Sequence, residues 1–430
     1  MERILVYRFI HSADIHLDSP LKTLALSDPK LSELIGNATR QALRKIVDLC
    51  INERVDALVL AGDVYDGEQT SMKTARFFAS EMHRLHQAGI KVFLVRGNHD
   101  ALSKITNELT LPDNVKLFTG RAEYVEIDPS SGGLPLAIHG ISFSEAKAPA
   151  SLLSKFRPRV ENAINIGILH TSLTGSDGHN TYAPCTIGEL NATGFQYWAL
   201  GHIHKRSVYD GACKIVMPGN PQGRDINEAG AKTATLVTID DDGSLVLEER
   251  HTGLAEFARI AVNLQNCNDW SDVIGATRSA LQAARAETKS EHLVARLLLT
   301  GATPTAWGLR SNADRLKAEA DVMAEQTGKS WIEKIDIGCT LPAATSAAAT
   351  SNDPLSELMS EIDATILTSD AFALRTEEAA REILNALPVE CRASFGIDEA
   401  AFKAEIQELS RQGAEQVLAR LQSQARTEIA

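Results

Sequence analysis

The first 100 residues alternate short apolar segments with amphipathic helices, and this rhythm constrains the fold more than any other feature. Residues 56–60 read as a short strand of the kind buried in a parallel sheet. The predicted order is strand 4–9, a helix that carries Leu43, Ile46, Val47 and Cys50, strand 56–60, helix 70–88 and strand 90–95. This βαβαβ order favours an α/β sheet covered by helices.

Further strands are predicted up to residue 250, without helices between them. They lie at 122–127, 136–141, 166–169, 198–200, 214–217, 233–239 and 245–249. An Asp-Asp-Gly turn joins the last two, as in a hairpin. A β-rich half that follows an α/β half predicts two sheets packed face to face.

The remaining chain divides into three parts. Residues 256–340 alternate strand and helix again, and we expect a separate small unit there. Residues 340–354 are rich in Ala, Thr, Ser and Pro and have no periodicity, which is typical of a linker. Beyond them, apolar residues recur at helical spacing: Leu355, Met359, Ile362, Ile366, Phe402, Ile406, Leu409, Val417 and Leu421.

Composition excludes several classes of protein. The fractions of hydrophobic (44%) and charged (23%) residues are those of a globular protein, and no apolar run is long enough to span a membrane. The six cysteines form no close pair, which suits a reducing cytosol, and the N-terminus does not resemble a signal peptide. The net charge of −13 does not by itself indicate a nucleic-acid binder, although a local patch or a bound metal could attract one.

Residues that can bind metals follow the predicted strands. They are found in Asp14-Ile15-His16, Gly62-Asp63, Gly97-Asn98-His99-Asp100, His170 and Gly201-His202-Ile203-His204. Sites in open α/β sheets form outside the carboxyl ends of the strands, so these segments are expected to meet. Each segment alone is a weak signal, but all of them in this order predict a site.

The residue types fit a two-metal phosphoesterase. Two cations about 3.5–4 Å apart can clamp the attacking and leaving oxygens of an in-line displacement. A bridging carboxylate would screen the repulsion between them. The mixture of imidazole, carboxylate and amide oxygen suits Mn, Fe or Zn better than Mg or Ca.

This series resembles that of the calcineurin-like metallophosphoesterases, which have the same five segments in the same order. The flanking residues resemble a narrower branch, the SbcD/YhaO-type DNA repair exonucleases. The matching stretches are residues 11–20, 182–185, 198–205 and 218–224. The resemblance covers about residues 1–240 and implies a fold of two mixed β-sheets sandwiched by helices.

The resemblance also implies a role for each residue. Asp14, His16, Asp63 and His204 would hold the first metal, and Asp63, Asn98, His170 and His202 the second, with Asp63 bridging. His99 would not be a ligand but would protonate or stabilise the leaving oxygen, and a hydroxide on the metals would be the nucleophile.

Three other residues are predicted to act around the metals. Some relatives carry a histidine where this chain has Asp66, and many others carry aspartate, so we expect Asp66 to orient His99 through a hydrogen bond. Alternatively, Asp66 could be a carboxylate whose only role is to stabilise the N-terminus of a helix. Arg224 and Lys205 lie just past the ligand segments, where phosphate binding and a solvated surface role are both open.

The implied function is a dinuclear, manganese-dependent DNA exonuclease. Its parts would be a catalytic domain at 1–252, a cap domain at 253–340, a linker at 341–354 and a helical docking region at 355–430. The docking partner would be a coiled-coil ATPase subunit like SbcC. Two alternatives remain open: a small-molecule phosphodiesterase or phosphatase that uses the same site, which the acidic charge favours, and a non-catalytic scaffold. A homodimer is also open, and no membrane association is expected.

Overall fold

The computed structural model describes residues 5–19, 29–67, 71–102, 111–128, 134–145, 150–173, 182–240, 242–340, 342, 354–386 and 399–427. The chain divides into two compact units. The first is Met1–Phe257 with Thr288–Leu293, and the second is Ala258–Glu287 with Val294–Ala430.

The first sheet of the first unit is mixed and has the strand order β12-β11-β1-β2-β3-β4. Its strands are β1 (Leu5–Ser12), β2 (Ala57–Ala61), β3 (Lys91–Val95), β4 (Val115–Leu117), β11 (Thr233–Asp240) and β12 (Leu245–His251). Strands β1 to β4 run parallel, and the register pairs Ser12 with Leu60 and Ala61 with Val95. Their carboxyl ends therefore lie at one edge of the sheet.

The second sheet is also mixed, with the order β5-β6-β7-β8-β10-β9. Its strands are β5 (Glu123–Ile127), β6 (Leu136–Gly140), β7 (Ile164–His170), β8 (Tyr197–Gly201), β9 (Ser207–Asp210) and β10 (Lys214–Met217). Strands β7 and β8 are parallel and place His170 beside Gly201.

The two sheets pack face to face, and helices cover the outer face of the first sheet. The core between the sheets includes Phe9, Val59, Ile138, Ile166 and Tyr197, all of which are buried. The helices are α1 (Pro29–Gly36), α2 (Ala38–Asn52), α3 (Met72–Gln87) and α4 (Ile187–Ala192). All five residues of β2 are buried because that strand is covered on both sides. The predicted fold of two mixed sheets sandwiched by helices is confirmed.

The structure differs from the prediction in four strands and helices of this unit, the first of which is the unpredicted helix α1. Strands β4 and β9 were not predicted, since three or four half-buried residues give little periodicity. The prediction that no helix separates the later strands was wrong. Helix α4 lies between β7 and β8, because two parallel strands need a crossover connection.

The second unit contains most of a third sheet, with the order β13-β14-β15, and several helices. The strands are β13 (Ala255–Asn263), β14 (His292–Thr300) and β15 (Ser330–Ile337). The helices are α5 (Trp270–Glu287), α6 (Ala306–Ser311), α7 (Ala313–Thr327), α8 (Pro354–Glu361), α9 (Asp370–Ala386) and α10 (Glu399–Thr427). The predicted linker falls almost wholly outside the described residues. Within the described parts of the chain, no helix combines the length and the apolar character needed to cross a membrane.

Candidate metal centre

The predicted ligands lie in the first unit, just after or at the ends of five strands from its two sheets. Asp14 and His16 follow β1, Asp63 follows β2, and Asn98 follows β3. In the other sheet, His170 is the last residue of β7, while His202 and His204 follow β8. Except for the partly exposed His204, these side chains are buried: Asp14, His16, Asp63, Asn98, His170 and His202.

One cluster consists of Asp14, His16 and His204. One potential ligand atom from each lies within 4.8 Å of the others. The Nε2 atoms of His16 and His204 are 3.1 Å apart. Both carboxylate oxygens of Asp14 accept a hydrogen bond from the backbone N–H of His202, at 3.0 and 2.9 Å. Residues that are almost 190 positions apart are thereby joined at the edge of both sheets.

A second cluster consists of Asp63, His170 and His202. The Nε2 atom of His170 lies 3.4 Å from Asp63 Oδ2 and 3.0 Å from Asn98 Oδ1. The structure thus brings together all four side chains that were expected around the second metal.

The two carboxylate oxygens of Asp63 have different surroundings. Oδ1 accepts a hydrogen bond from the backbone N–H of His99 at 3.0 Å. Oδ2 lies between the clusters, 3.4 Å from His170 Nε2 and 3.9 Å from His16 Nε2. Oδ1 is therefore fixed by a hydrogen bond within the protein. Oδ2 faces His170 of the second cluster and His16 of the first.

Four of these residues have a left-handed backbone. The φ angles are 52° at Asp14, 46° at His16, 51° at Asp63 and 105° at His202. Non-glycine residues adopt such angles at a cost of roughly 1–3 kcal/mol, although Asp and His tolerate them better than most. Strain of this kind clusters at functional sites, and here it occurs at four of the seven predicted ligands.

The donor set fits divalent cations. His170 Nδ1 lies 2.9 Å from the carbonyl oxygen of Ala61, and His204 Nδ1 lies 2.7 Å from Glu228 Oε1. Both partners are acceptors, so Nδ1 carries a proton in each ring, and Nε2 is the atom that would give its lone pair to a bound metal. Lone pairs and carboxylate oxygens that face one another need a positive charge between them. Imidazole with carboxylate and amide oxygen suits a transition metal.

The charges of the site shift pKa values in opposite directions. Burial raises the pKa of Asp63, but the charge and hydrogen bond of His170 together with the charges of His16 and His99 outweigh this and hold the pKa below its usual range. Burial lowers the pKa of His170, but Asp63 and then Asp14 outweigh it and raise the pKa to about 9. The carboxylate therefore stays ionised, as a metal ligand must.

His99 and Asp66 lie beside the clusters in the predicted contact. His99 Nδ1 is 3.1 Å from Asp66 Oδ1, and the His99 side chain is 41% exposed. Asp66 Oδ2 accepts a hydrogen bond from Ser19 Oγ at 2.7 Å. The hydrogen bond to Asp66 raises the pKa of His99 above its ordinary value. One ligand atom of His99 also lies within 4.8 Å of His16 and Asp63.

Arg224 and Lys205 differ in their surroundings. The Arg224 guanidinium forms an ion pair with Glu228 at 2.7 Å, and its NH2 group lies 3.1 Å from His204 Nδ1. Lys205 is exposed. Arg224 therefore lies against the first cluster, whereas the contacts of the described residues place Lys205 against no ligand.

Two residues of the site have no role in the sequence-based prediction. Asp100 is buried and accepts hydrogen bonds from the backbone N–H groups of Tyr65 at 2.9 Å and Gly97 at 3.1 Å, which ties two ligand loops together. Burial and the charge of Asp63 raise the pKa of Asp100 to about 6. The other is Glu228, beside His204. Asp100 could have been found because it directly follows the His99 segment, but no pattern marks Glu228.

The sequence matches two known family descriptions. Residues 7–206 match the calcineurin-like phosphoesterases, and residues 257–340 match the middle domain of metallophosphoesterase YhaO. The first match covers all the predicted metal ligands.

Comparisons with individual proteins agree with these family descriptions. An uncharacterized metallophosphoesterase, YhaO of Bacillus subtilis (strain 168), is 31% identical over 335 residues, which are 76% of this chain and 81% of that protein. The DNA double-strand break repair protein Mre11 of Sulfurisphaera tokodaii is 26% identical over 246 residues, 55% of this chain and 60% of that protein.

Among solved structures, a dimetal phosphatase from Danio rerio covers 58% of this chain and 99% of its own, with 13% identity and a TM-score of 0.33. The family of this chain is assigned from the match to YhaO, because of its sequence identity and the share of both proteins that it covers. The chain belongs to the calcineurin-like phosphoesterases, and within them to the YhaO type of metallophosphoesterase.

Proposed function

We propose that this protein is a DNA exonuclease that uses two divalent metal ions, with manganese as the most active metal, to hydrolyse phosphodiester bonds in DNA repair. The observation that carries the proposal is Asp63 Oδ2, which faces histidines of both clusters at 3.4 and 3.9 Å. A single carboxylate oxygen in that position suits two adjacent cations.

The proposed ligand sets follow the clusters. Asp14, His16, Asp63 and His204 hold the first ion, and Asp63, Asn98, His170 and His202 hold the second. When bound, the two ions supply Lewis-acid stabilisation of the phosphate and lower the pKa of bound water. The protein holds Asp63 by the His99 backbone N–H and aims the Nε2 atoms of His170 and His204 inward.

His99 is the proposed proton donor. Its Nδ1 atom is hydrogen-bonded to Asp66, so Nε2 is the ring atom that can give a proton to the leaving oxygen. Its side chain is 41% exposed, whereas most of the ligands are buried, so it can reach a substrate. Arg224 is proposed to bind phosphate, with Lys205 as a weaker candidate.

DNA as the substrate is supported by the similarity to Mre11, whose name describes double-strand break repair. The alternative substrate is a small phosphodiester or phosphate ester, which the net charge of −13 favours because DNA repels an acidic surface.

The experiment compares the two substrates. We expect manganese-dependent release of nucleotides from end-labelled single- or double-stranded DNA, faster than hydrolysis of bis-(p-nitrophenyl) phosphate. An Asp63→Asn variant purified in parallel controls for contaminating nucleases. Hydrolysis of the small ester alone would refute the nuclease proposal, and absence of bound metal in the wild type would refute the dinuclear site.

The four-part division of the chain, with a cap at 253–340 and a docking region at 355–430, is also a proposal. It is supported by the match of residues 257–340 to the YhaO middle domain and by exposed apolar side chains such as Leu374 and Ile383. We propose a coiled-coil ATPase like SbcC as the docked partner and the cytoplasm as the location. The described cysteines are buried and form no disulfide with one another, which is compatible with a reducing compartment.

A further inference from the structure

Glu228 lies behind His204, on the side away from the other ligands. Its Oε1 atom lies 2.7 Å from His204 Nδ1 and accepts a hydrogen bond from Arg224 NH2 at 2.7 Å. Its Oε2 atom accepts hydrogen bonds from the side-chain amide of Asn220 at 2.7 Å and the backbone N–H of Arg224 at 2.8 Å. Arg224 Nε also lies 3.2 Å from Oε1 and 3.3 Å from Oε2, so each oxygen of the carboxylate has at least two N–H partners.

These contacts exclude two other roles for Glu228. A carboxylate has about four acceptor positions, and all of them are used here, so no oxygen is left for a metal. The carboxylate is also not a general acid, because Asn220 and Arg224 approach its two oxygens with N–H donors, so these oxygens accept and carry no proton. An ionised carboxylate can only accept, so the hydrogen between it and His204 belongs to Nδ1.

The backbone of the loop that precedes Glu228 also contacts His204. The N–H of Asn220 donates to the carbonyl oxygen of His204 at 3.2 Å. Gly219 has a φ of 74°, and a Cβ atom there would lie 2.6 Å from that carbonyl oxygen. The loop from Gly219 to the short 3₁₀ turn Ile226–Glu228 thus contacts both the main chain and the ring of His204.

We propose that Glu228 is a positioning residue that holds His204 as the Nδ1–H tautomer, so that its Nε2 lone pair faces the first metal. The inference rests on the proposed ligand role of His204. Carboxylates that accept the second N–H of a metal-binding histidine orient the ring and increase its basicity, and their loss typically costs 10–100-fold in metal affinity.

The first test needs neither metal nor substitution of Glu228. The full-length, metal-free protein is labelled with ¹⁵N-histidine, and the ring signals of His204 are assigned by comparison with His204→Gln. At mildly alkaline pH we expect the Nδ1 signal of a protonated nitrogen and the Nε2 signal of a deprotonated one. An Nε2–H tautomer in the wild type would overturn the proposal, even if the Glu228 variants fail to fold.

The second test is calorimetric titration of the metal-free protein with Mn²⁺. We expect Glu228→Gln to weaken one of two binding events by about 10–100-fold and to leave the other close to wild type. Asp225→Asn is the matched control, because it removes the same charge from the same turn but contacts Asn227 rather than His204. An equal loss in the control, or equal weakening of both events, would show a general charge or folding effect instead.

The two proposals fail in different ways. If the wild type binds no Mn²⁺, the proposed dinuclear function is wrong. If the wild type binds two ions and Glu228→Gln binds both with unchanged affinity, only the role of Glu228 is wrong.

Discussion

At the scale of single residues, the site separates buried candidate ligands from His99, the more exposed residue that we propose as the acid. Asp63 and His170 are shielded from solvent, and each stabilises the charged form of the other. The His99 side chain, in contrast, is 41% exposed. Burial suits a ligand because it limits competition from water, and exposure suits a group that must reach a substrate. The structure therefore supports different roles for Asn98 and His99, although they are adjacent in sequence.

We expect His99→Ala to keep its bound metal but to lower turnover by about 10²–10⁴-fold, the usual contribution of acid–base assistance. Metal content by elemental analysis and the rate with bis-(p-nitrophenyl) phosphate are the measurements. Asp63→Asn is the comparison, since it should lose metal as well as activity. Loss of metal in His99→Ala would show that His99 is a ligand, as its closeness to His16 and Asp63 allows.

Asp66→Asn should give a milder loss than His99→Ala. The amide cannot replace the charged partner at 3.1 Å from His99 Nδ1, so the ring is less firmly oriented and less readily protonated. Steady-state kinetics should show a lower kcat with unchanged metal content. Kinetics identical to those of the wild type would contradict the proposed pair.

At the scale of elements, the site depends on contact between two sheets. His11 in β1 lies 2.9 Å from the hydroxyl of Tyr197 and 3.2 Å from the carbonyl oxygen of Leu200, both in β8. Next to this contact, a Cβ atom at Gly201 would lie 2.0 Å from the carbonyl oxygen of Ala61 and 3.0 Å from Ala13 Cβ. Because Gly201 has no side chain, the strand ends of the two sheets can approach one another.

Gly201→Ala should therefore separate the sheets and destabilise the protein by about 1–3 kcal/mol, as overpacking of a tight core does. Thermal unfolding should show a lower Tm, and Mn²⁺ affinity should fall because the ligand loops begin at this contact. Gly188→Ala in α4 is the control, since its nearest neighbour would be 3.9 Å away and Ala favours a helix. An unchanged Tm for Gly201→Ala would refute the argument.

At the scale of the whole molecule, the chain separates chemistry from the proposed docking. All of the predicted metal ligands belong to the first compact unit, and the C-terminal helices belong to the second. Within the second unit, Phe402 and Ile406 of α10 are buried, while Leu374 and Ile383 of α9 are 59% and 60% exposed. The C-terminal region thus has a packed face and an apolar face open to solvent.

Deletion of residues 341–430 should leave two bound metals and hydrolysis of a small phosphodiester, and should abolish association with the coiled-coil ATPase. Metal analysis, kinetics and co-purification with the ATPase test these outcomes. The Leu374→Asp/Ile383→Asp double variant of the full chain is the matched control, because it changes only exposed positions. Loss of metal in the truncated protein would show that the tail supports the site, and intact association would refute the docking proposal.

For physical reasons that are local, the sequence predicted the succession of strands and helices in the first 100 residues and marked the side chains that the structure brings together. Apolar segments such as residues 56–60 need burial on both faces, and Asp14, Asp63 and His170 occur where strands end. Helix α1 was missed, and so were the short strands β4 and β9 and the crossover helix α4. The formation of β4, β9 and α4 depends on neighbouring strands more than on their own residues.

Residue types and their order along the chain determined which side chains could bind metal, because ligand chemistry belongs to each side chain alone. Only the tertiary structure decided that Asp63 Oδ2 faces both histidine groups, and that Glu228, a residue without a recognisable pattern, lies behind His204. Distances between atoms from different loops depend on the packing of two sheets and on the left-handed backbone of four residues. Neither is a property of any short stretch of sequence.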